Sequence, residues 1–252
     1  SAINNENLEI KEAHFQNIPV IRRAEMLGEL LKLNNRSIAV GGTHGKTTCS
    51  SMLGSILKFA KKSPTIIIGG IVNEYNSNST IGKGNLIVVE ADEFDKSFLD
   101  LRPTYSIITN LDLDHLECYH NFDDIINSFS QFANSVPFYG KIAICIDDLN
   151  NQKLISLLKK PYITFGITKE SMIRAKNIKY DNMTSCFDLF YKNKFLSQIK
   201  LKVPGNHNIL NALGAITIAL ELDIDINSIS NGLLKYSGVK RRFELKYTSS
   251  TG

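Results

Sequence analysis

Short apolar runs of strand length recur along the first part of the chain: RSIAV, TIIIGG, LIVVEA, TYSIITN and KIAICID. Their apolar residues are mostly consecutive rather than alternating, which suits strands of a parallel sheet covered on both faces. The stretches between several of them carry apolar residues at helical spacing. TTCSSMLGSILKFA gathers Met52, Leu53, Ile56 and Leu57 on one face, and FDDIINSFSQFANS does the same with Phe122, Ile125, Ile126, Phe129, Phe132 and Ala133. LNNQKLISLLKK offers a shorter helix. RRAEMLGELLKL, ahead of the first run, offers another through Ala24, Met26, Leu27, Leu30 and Leu31. Strands alternating with helices predict an α/β domain with right-handed crossovers. Ile18 to Ile21 is a further candidate strand.

Past Phe165 the pattern changes. IRAKNIKYD, TSCFDLFYKN and FLSQIKLKV alternate apolar and polar residues, which predicts half-exposed antiparallel strands turning at Asp181-Asn182 and Lys192-Asn193. Pro204-Gly205 then introduces a helix, NHNILNALGAITIALEL, and INSISNGLLKY a second; the last stretch, RRFELKYTSSTG, has no evident element. The predicted fold is therefore α/β: a P-loop-type, mostly parallel sheet flanked by helices, with a small antiparallel insertion late in the chain.

Composition narrows the function. With 252 residues, 43% hydrophobic and 21% charged, the chain can close a core without disulfide staples. The 29 basic against 25 acidic residues leave +4, too small an excess to argue for a nucleic-acid surface. No apolar run approaches the roughly 20 residues that span a bilayer, and the opening SAINNENLEI does not read as a secretory leader. Four scattered cysteines, Cys49, Cys118, Cys145 and Cys186, fit a reduced cytoplasmic protein. Cys118 lies between His115 and His120, but no fourth ligand has matching spacing, so zinc is not expected.

The strongest local signal is Val40-Gly41-Gly42-Thr43-His44-Gly45-Lys46-Thr47-Thr48, between a predicted strand and a predicted helix. Glycines let successive backbone N–H groups converge on a phosphate, and a helix N-terminus adds its positive end. Lys46 supplies a mobile charge for the β- and γ-phosphates, and Thr47 a hydroxyl for Mg²⁺. Val40 stands where the usual motif has its first glycine, so the loop is a shortened variant, GxxGKT.

Two acidic segments fall at other predicted strand ends: Glu90-Ala91-Asp92-Glu93 and Asn110-Leu111-Asp112-Leu113-Asp114-His115. Ligands of open parallel sheets bind outside the carboxyl ends of the strands. Glu90, Asp92, Asp112, Asp114 and His115 are thus expected to converge on the metal and phosphates. Mg²⁺ prefers oxygen ligands, so spacing alone does not carry His115. Asn110 with Asp112 is similar to a guanine-reading element, but Leu111 stands where that element has lysine.

GTHGKTT, EADEFDKSFLDLRP, TNLDLDHLECY, PGNHNILNA and GVKRRFE, in this order, resemble the Mur ligase family. IPVIRRAEMLGELL and the histidine of GTHGKT lean towards the branch that joins L-alanine to UDP-N-acetylmuramate. The resemblance implies an ATP-dependent acid–amino-acid ligase of peptidoglycan precursor synthesis, working through an acyl phosphate. It implies ATP contacts from Gly42, Thr43, His44, Gly45, Lys46, Thr47, Thr48, Asn208, Asn211 and Arg242, or its neighbour Arg241. It further implies Mg²⁺ held by Thr47, Glu90 and His115, with Lys46, Glu90 and His115 as the catalytic set. Helix capping by Asn206 or Asn208 is the alternative for the asparagines, and a solvated basic tail is an equal alternative for Arg241 or Arg242. Family organisation implies a remnant of a UDP-binding domain over residues 1–35, a central ATP-binding domain over 36–246 and a tail over 247–252. Such a piece is expected to bind Mg·ATP weakly and not to complete ligation alone. A muropeptide-recycling ligase, a folyl-polyglutamate synthase (disfavoured by His44) and a nucleotide-binding module without ligase chemistry remain as alternatives.

Overall fold

In the computed structural model, which describes residues 3–4, 6–74, 76–94, 96–113 and 118–240, the apolar runs join one sheet. Along the chain come α1 (Leu8–Phe15), α2 (Arg23–Lys32), β1 (Arg36–Gly41), α3 (Lys46–Phe59), β2 (Thr65–Val72), β3 (Ser77–Thr80) and β4 (Leu86–Glu90). A 3-10 turn (Ser97–Asp100), β5 (Tyr105–Ile108), α4 (Phe122–Asn134), β6 (Lys141–Cys145), α5 (Leu149–Ile155) and β7 (Tyr162–Gly166) follow. The described residues end with β8 (Ile173–Asp181), β9 (Thr184–Tyr191), β10 (Lys194–Leu201), α6 (Asn206–Glu221) and α7 (Ile226–Lys235). Among the described residues no helix is long and apolar enough to cross a membrane.

The strand order is β10-β9-β8-β7-β6-β5-β1-β4-β2-β3. Strands β8 to β2 in that order run parallel, while β9, β10 and β3 pair antiparallel. The late antiparallel strands do not form a separate layer: Phe165 pairs with Ile173, so β8 continues the main sheet. The second hairpin turns at Lys192-Asn193, as the sequence places it, and the first turns one residue later than expected, over Asn182-Met183, because Asp181 still pairs with Thr184. Asn182 adopts φ 48°, and Lys192 and Asn193 adopt 47° and 65°, the left-handed backbone that tight hairpins require.

Side chains alternate across each strand, and β1 feeds two cores. Ile38 and Val40 pack with Met52, Leu53 and Ile56 of α3 and with Leu213 and Ile216 of α6. Ala39 faces the opposite layer, where Leu27 and Leu31 of α2 meet Phe98, Phe129 and Phe132. The Phe98 ring lies 4.9 Å from Phe129 and 5.2 Å from Phe132, in tilted packing. Helix α3 is buried along most of its length between the sheet, α6 and α7.

Three elements differ from expectation. Ile18 to Ile21 belongs to no strand; Ile18, Val20 and Ile21 are 53%, 46% and 50% exposed. Hydrophobicity alone does not make a strand without an edge to pair with. Helix α1 has no apolar stripe and buries nothing; Asn7 caps it by accepting from the N–H groups of Glu9 and Ile10. Strand β3, SNST, is too short and polar to announce itself and exists by pairing with β2.

Candidate functional site

Strand β1 ends between β4 and β5, so the chain leaving it has acidic or amide groups on either side. Val40 lies opposite Glu90, and Gly41 opposite Ile108, one residue before Thr109. Gly42 then takes φ 132°, and Gly45, the residue that precedes α3, takes φ 87°. Both positions are closed to side chains: a Cβ on Gly42 would come within 2.1 Å of Thr109 Oγ1, and one on Gly45 within 2.3 Å of Asn211 Oδ1. Among the described residues no side chain caps α3. The N–H groups of its first turn therefore stay available to an anion, reinforced by the helix dipole.

The loop is laced to the end of β5. The Thr43 N–H donates to the Asn110 carbonyl at 2.9 Å. The His44 N–H donates to Asn110 Oδ1 at 2.9 Å, while Asn110 Nδ2 returns a bond to the His44 carbonyl at 2.9 Å. The Thr109 hydroxyl donates to the same carbonyl at 2.7 Å, and the Asp112 N–H to Thr43 Oγ1 at 2.8 Å. Thr43 and His44 thus have their amides committed within the protein, and the donors left for an anion lie from Gly45 onward. The residue pair compared with a guanine reader is a brace for the loop.

On the far side of the loop opens a cavity of about 600 Å³. His44, Gly45 and Thr48 line it from the loop, Phe165 and Cys145 from the sheet, and His207, Asn208 and Asn211 from α6. Two segments more than a hundred residues apart in sequence thereby share one site. Asn208 and Asn211 are each 6% exposed. Asn208 does not cap α6; the residue preceding the helix is Gly205, and the Asn208 amide donates to the Pro204 carbonyl at 2.6 Å. Asp147 and Asp148 stand at the cavity wall. Burial would raise the Asp147 carboxyl, but N–H groups of Ile167, Thr168 and Lys169 outweigh it and leave its pKa below the ordinary value. Burial raises the neighbouring Asp148 despite its backbone bonds. The Cys145 thiol, pushed by burial up to about 11, is no nucleophile at neutral pH.

Glu90 and Asp92 line a second cavity, about 710 Å³, whose walls include Arg22 and Arg23 at the start of α2 and the Phe94, Phe98 and Leu101 side chains. The acids do not all converge. Asp92 is exposed and accepts from the Phe94 N–H at 3.2 Å. Asp112 is exposed and accepts from the Leu113 N–H at 2.8 Å. Glu90 is different: its Oε1 is buried with no hydrogen-bond partner among the described residues. A carboxylate oxygen left in that state is costly unless something satisfies it. A hard divalent cation, which favours oxygen ligands, suits such an oxygen; Thr47, the other oxygen ligand expected from sequence, lies in the first turn of α3. Asp114, His115, Arg241 and Arg242 lie outside the described residues.

One participant carried no expectation. The Lys46 ammonium donates to both oxygens of Glu93, at 2.8 and 2.7 Å, and to the Gly42 carbonyl at 2.7 Å. Glu93 is 3% exposed. Burial raises its pKa, with the Lys46 charge pulling the other way. Its signal in the sequence was only a third acid in EADE, indistinguishable there from a solvated loop residue.

A model of the Mur ligase middle domain matches residues 40–219. The chain belongs to the Mur ligase family. This Mur ligase chain is 43% identical over 247 residues to the UDP-N-acetylmuramate–L-alanine ligase of Pelobacter propionicus, covering 98% of itself and 54% of that protein. It is 44% identical over 246 residues to the enzyme of that name from Geotalea daltonii, again covering 98% and 54%. Among solved structures it superposes on the UDP-N-acetylmuramate-alanine ligase of Thermotoga maritima with a TM-score of 0.85 and 31% identity, over 99% of this chain and 56% of that one. The Neisseria meningitides UDP-N-acetylmuramate:L-alanyl-gamma-D-glutamyl-meso-diaminopimelate ligase gives 0.83 and 25%, over 95% of this chain and 78% of that one. The chain spans about half the length of the alanine-ligase relatives it matches.

Proposed function

We propose that this chain is the ATP-binding portion of a ligase that joins L-alanine to the carboxylate of UDP-N-acetylmuramate in the cytoplasm. The observation that carries the reading is the shared cavity: a glycine-shaped, uncapped helix start on one wall and two buried asparagines on another. The first suits phosphates and the second suits a base edge, because an amide both donates and accepts. In this reading the N–H groups from Gly45 to Thr48 and the Lys46 ammonium hold the β- and γ-phosphates. Asn208 and Asn211 orient the adenine. Thr47 and Glu90 hold Mg²⁺, which supplies charge neutralisation at the phosphoryl group. His115 as a further metal ligand and Arg242 as a phosphate contact rest on family resemblance.

The second cavity starts at Glu90 and is walled by two arginines and apolar rings. It suits an anionic acceptor approaching the phosphoryl group from the side opposite the nucleotide. A carboxylate is a poor electrophile until phosphorylation turns its oxygen into a leaving group. The acceptor carboxylate attacks the γ-phosphorus and ADP departs; the amine then attacks the acyl carbon and phosphate departs. The protein contributes positioning and charge stabilisation, as phosphoryl transfer generally requires.

Calorimetric titration of the chain with Mg·ATP and Mg·GTP tests the nucleotide reading. Saturable ATP binding that GTP does not match is expected; equal affinity for the two would overturn the base assignment. For the metal, Glu90→Gln is expected to shift the Mg²⁺ dependence of ATP binding to higher concentration, and a superimposable titration would remove Glu90 from the ligand set. In the full-length protein, ADP release is expected to require both L-alanine and UDP-N-acetylmuramate.

A further inference from the structure

A phosphate-loop lysine serves by presenting its ammonium to a phosphoryl group, and the Lys46 ammonium has no donor to spare. It carries three N–H donors. The Gly42 carbonyl at 2.7 Å, the Glu93 oxygens at 2.8 and 2.7 Å and the Thr43 carbonyl at 3.3 Å take them all. The pair is largely withdrawn from solvent, with side chains 17% and 4% exposed. Glu93 is also pinned from behind. Its carbonyl accepts from the Tyr119 hydroxyl at 2.7 Å and from the Lys96 N–H at 3.2 Å. Lys96 in turn donates to both oxygens of Asp124 at 2.8 Å and lies 5.0 Å from the centre of the Tyr119 ring. Two oxygens sharing a negative charge against one ammonium offer Lys46 the chemistry that a terminal phosphoryl group would.

We propose that Glu93 is a positioning residue: an internal anion that holds the Lys46 ammonium at the loop and competes with the nucleotide's terminal phosphoryl group for it. The inference rests on the reading of the loop as a phosphate cradle. Two anions cannot both saturate the same three protons, and they repel each other in a partly desolvated site. Phosphate binding therefore requires the buried pair to separate. Affinity is lowered for ligands that reach Lys46 and left alone for those that do not.

Glu93→Gln keeps the shape and removes the charge. Titrated with Mg·ATP and with adenosine, the variant is expected to bind ATP about tenfold more tightly than the parent. Adenosine, which has no phosphate, is expected to bind both equally. A merely structural role for Glu93 would weaken both ligands alike; that result, or unchanged or weaker ATP binding, overturns the proposal. A structure of the unmodified protein with a non-hydrolysable ATP analogue gives an answer independent of the variant's folding. Lys46 is expected on the phosphate with the Glu93 carboxylate beyond ion-pair distance, roughly 4 Å. An intact Lys46–Glu93 pair beside a phosphate held by Lys46 overturns it. Failure of the parent to bind Mg·ATP at all would instead remove the loop reading, and this inference with it.

Discussion

Lys46 sits in the first turn of α3, where the sequence pattern places it, yet its charge partner Glu93 comes from beyond the end of β4. The substitution Lys46→Ala therefore has two separable consequences. ATP binding is expected to weaken by at least about tenfold, about 1.4 kcal/mol, measured by calorimetry. The fold is also expected to lose about 3 kcal/mol in urea denaturation, because a buried carboxylate is left without its cation. Adding Glu93→Gln to that variant is expected to restore most of the stability and none of the binding. Glu90 and Glu93 lie three residues apart in one acidic run and have opposite circumstances: one has a buried oxygen with no partner among the described residues, the other an ammonium on both oxygens. Sequence identifies both as acids at a strand end. It does not distinguish them, because the difference is made by which atoms come close in space.

The loop after β1 keeps its shape through a neighbouring strand end as well as through its own glycines. Asn110→Ala removes the reciprocal bonds with His44, and a loss of about 1–3 kcal/mol is expected in chemical denaturation. Mg·ATP binding is expected to weaken with it, since the loop loses its brace. Asp147 plays a similar part at the end of β6, gathering the N–H groups of Ile167, Thr168 and Lys169 after β7. Its pKa is depressed in the fold. Its contribution is therefore full above the ordinary carboxylate pKa of about 4 and disappears as pH falls through the lower folded value. Asp147→Ala is expected to be less stable than the parent by about 1–3 kcal/mol at neutral pH. That gap should narrow as urea midpoints are taken below about pH 4; a gap independent of pH would show that the charge plays no part. Neither brace was legible in sequence. Their bonds join loops that are tens of residues apart, and nothing local in Asn110 or Asp147 names the partner.

At the scale of the molecule, the site depends on the core beneath it. The rings of Phe129 and Phe132 lie under the start of the loop: a Cβ on Gly41 would sit 3.3 and 3.1 Å from them. Phe129 is fully buried. Phe129→Ala is expected to cost about 3–5 kcal/mol of stability, read from denaturant midpoints, and to loosen nucleotide binding as the loop loses its floor. The helical spacing of α4 made Phe129 and Phe132 core candidates from sequence. That they floor the loop after β1 follows from both rings lying against Gly41 at the end of that strand.

By itself the sequence determined the elements with a local cause: strands from unbroken apolar runs, helices from apolar residues at helical spacing, hairpin turns from Asn, and a tight strand-to-helix loop from its glycines. Those features are set by backbone stereochemistry and by hydrophobic periodicity within a dozen residues. Tertiary structure alone decided which strand ends became neighbours. It brought Asn208 and Asn211 to Gly45, set Glu93 on Lys46 and left Asp92 and Asp112 in solvent. Strand order and register are properties of the whole sheet, because each pairing is chosen against every competing partner, and no short window of residues contains that comparison.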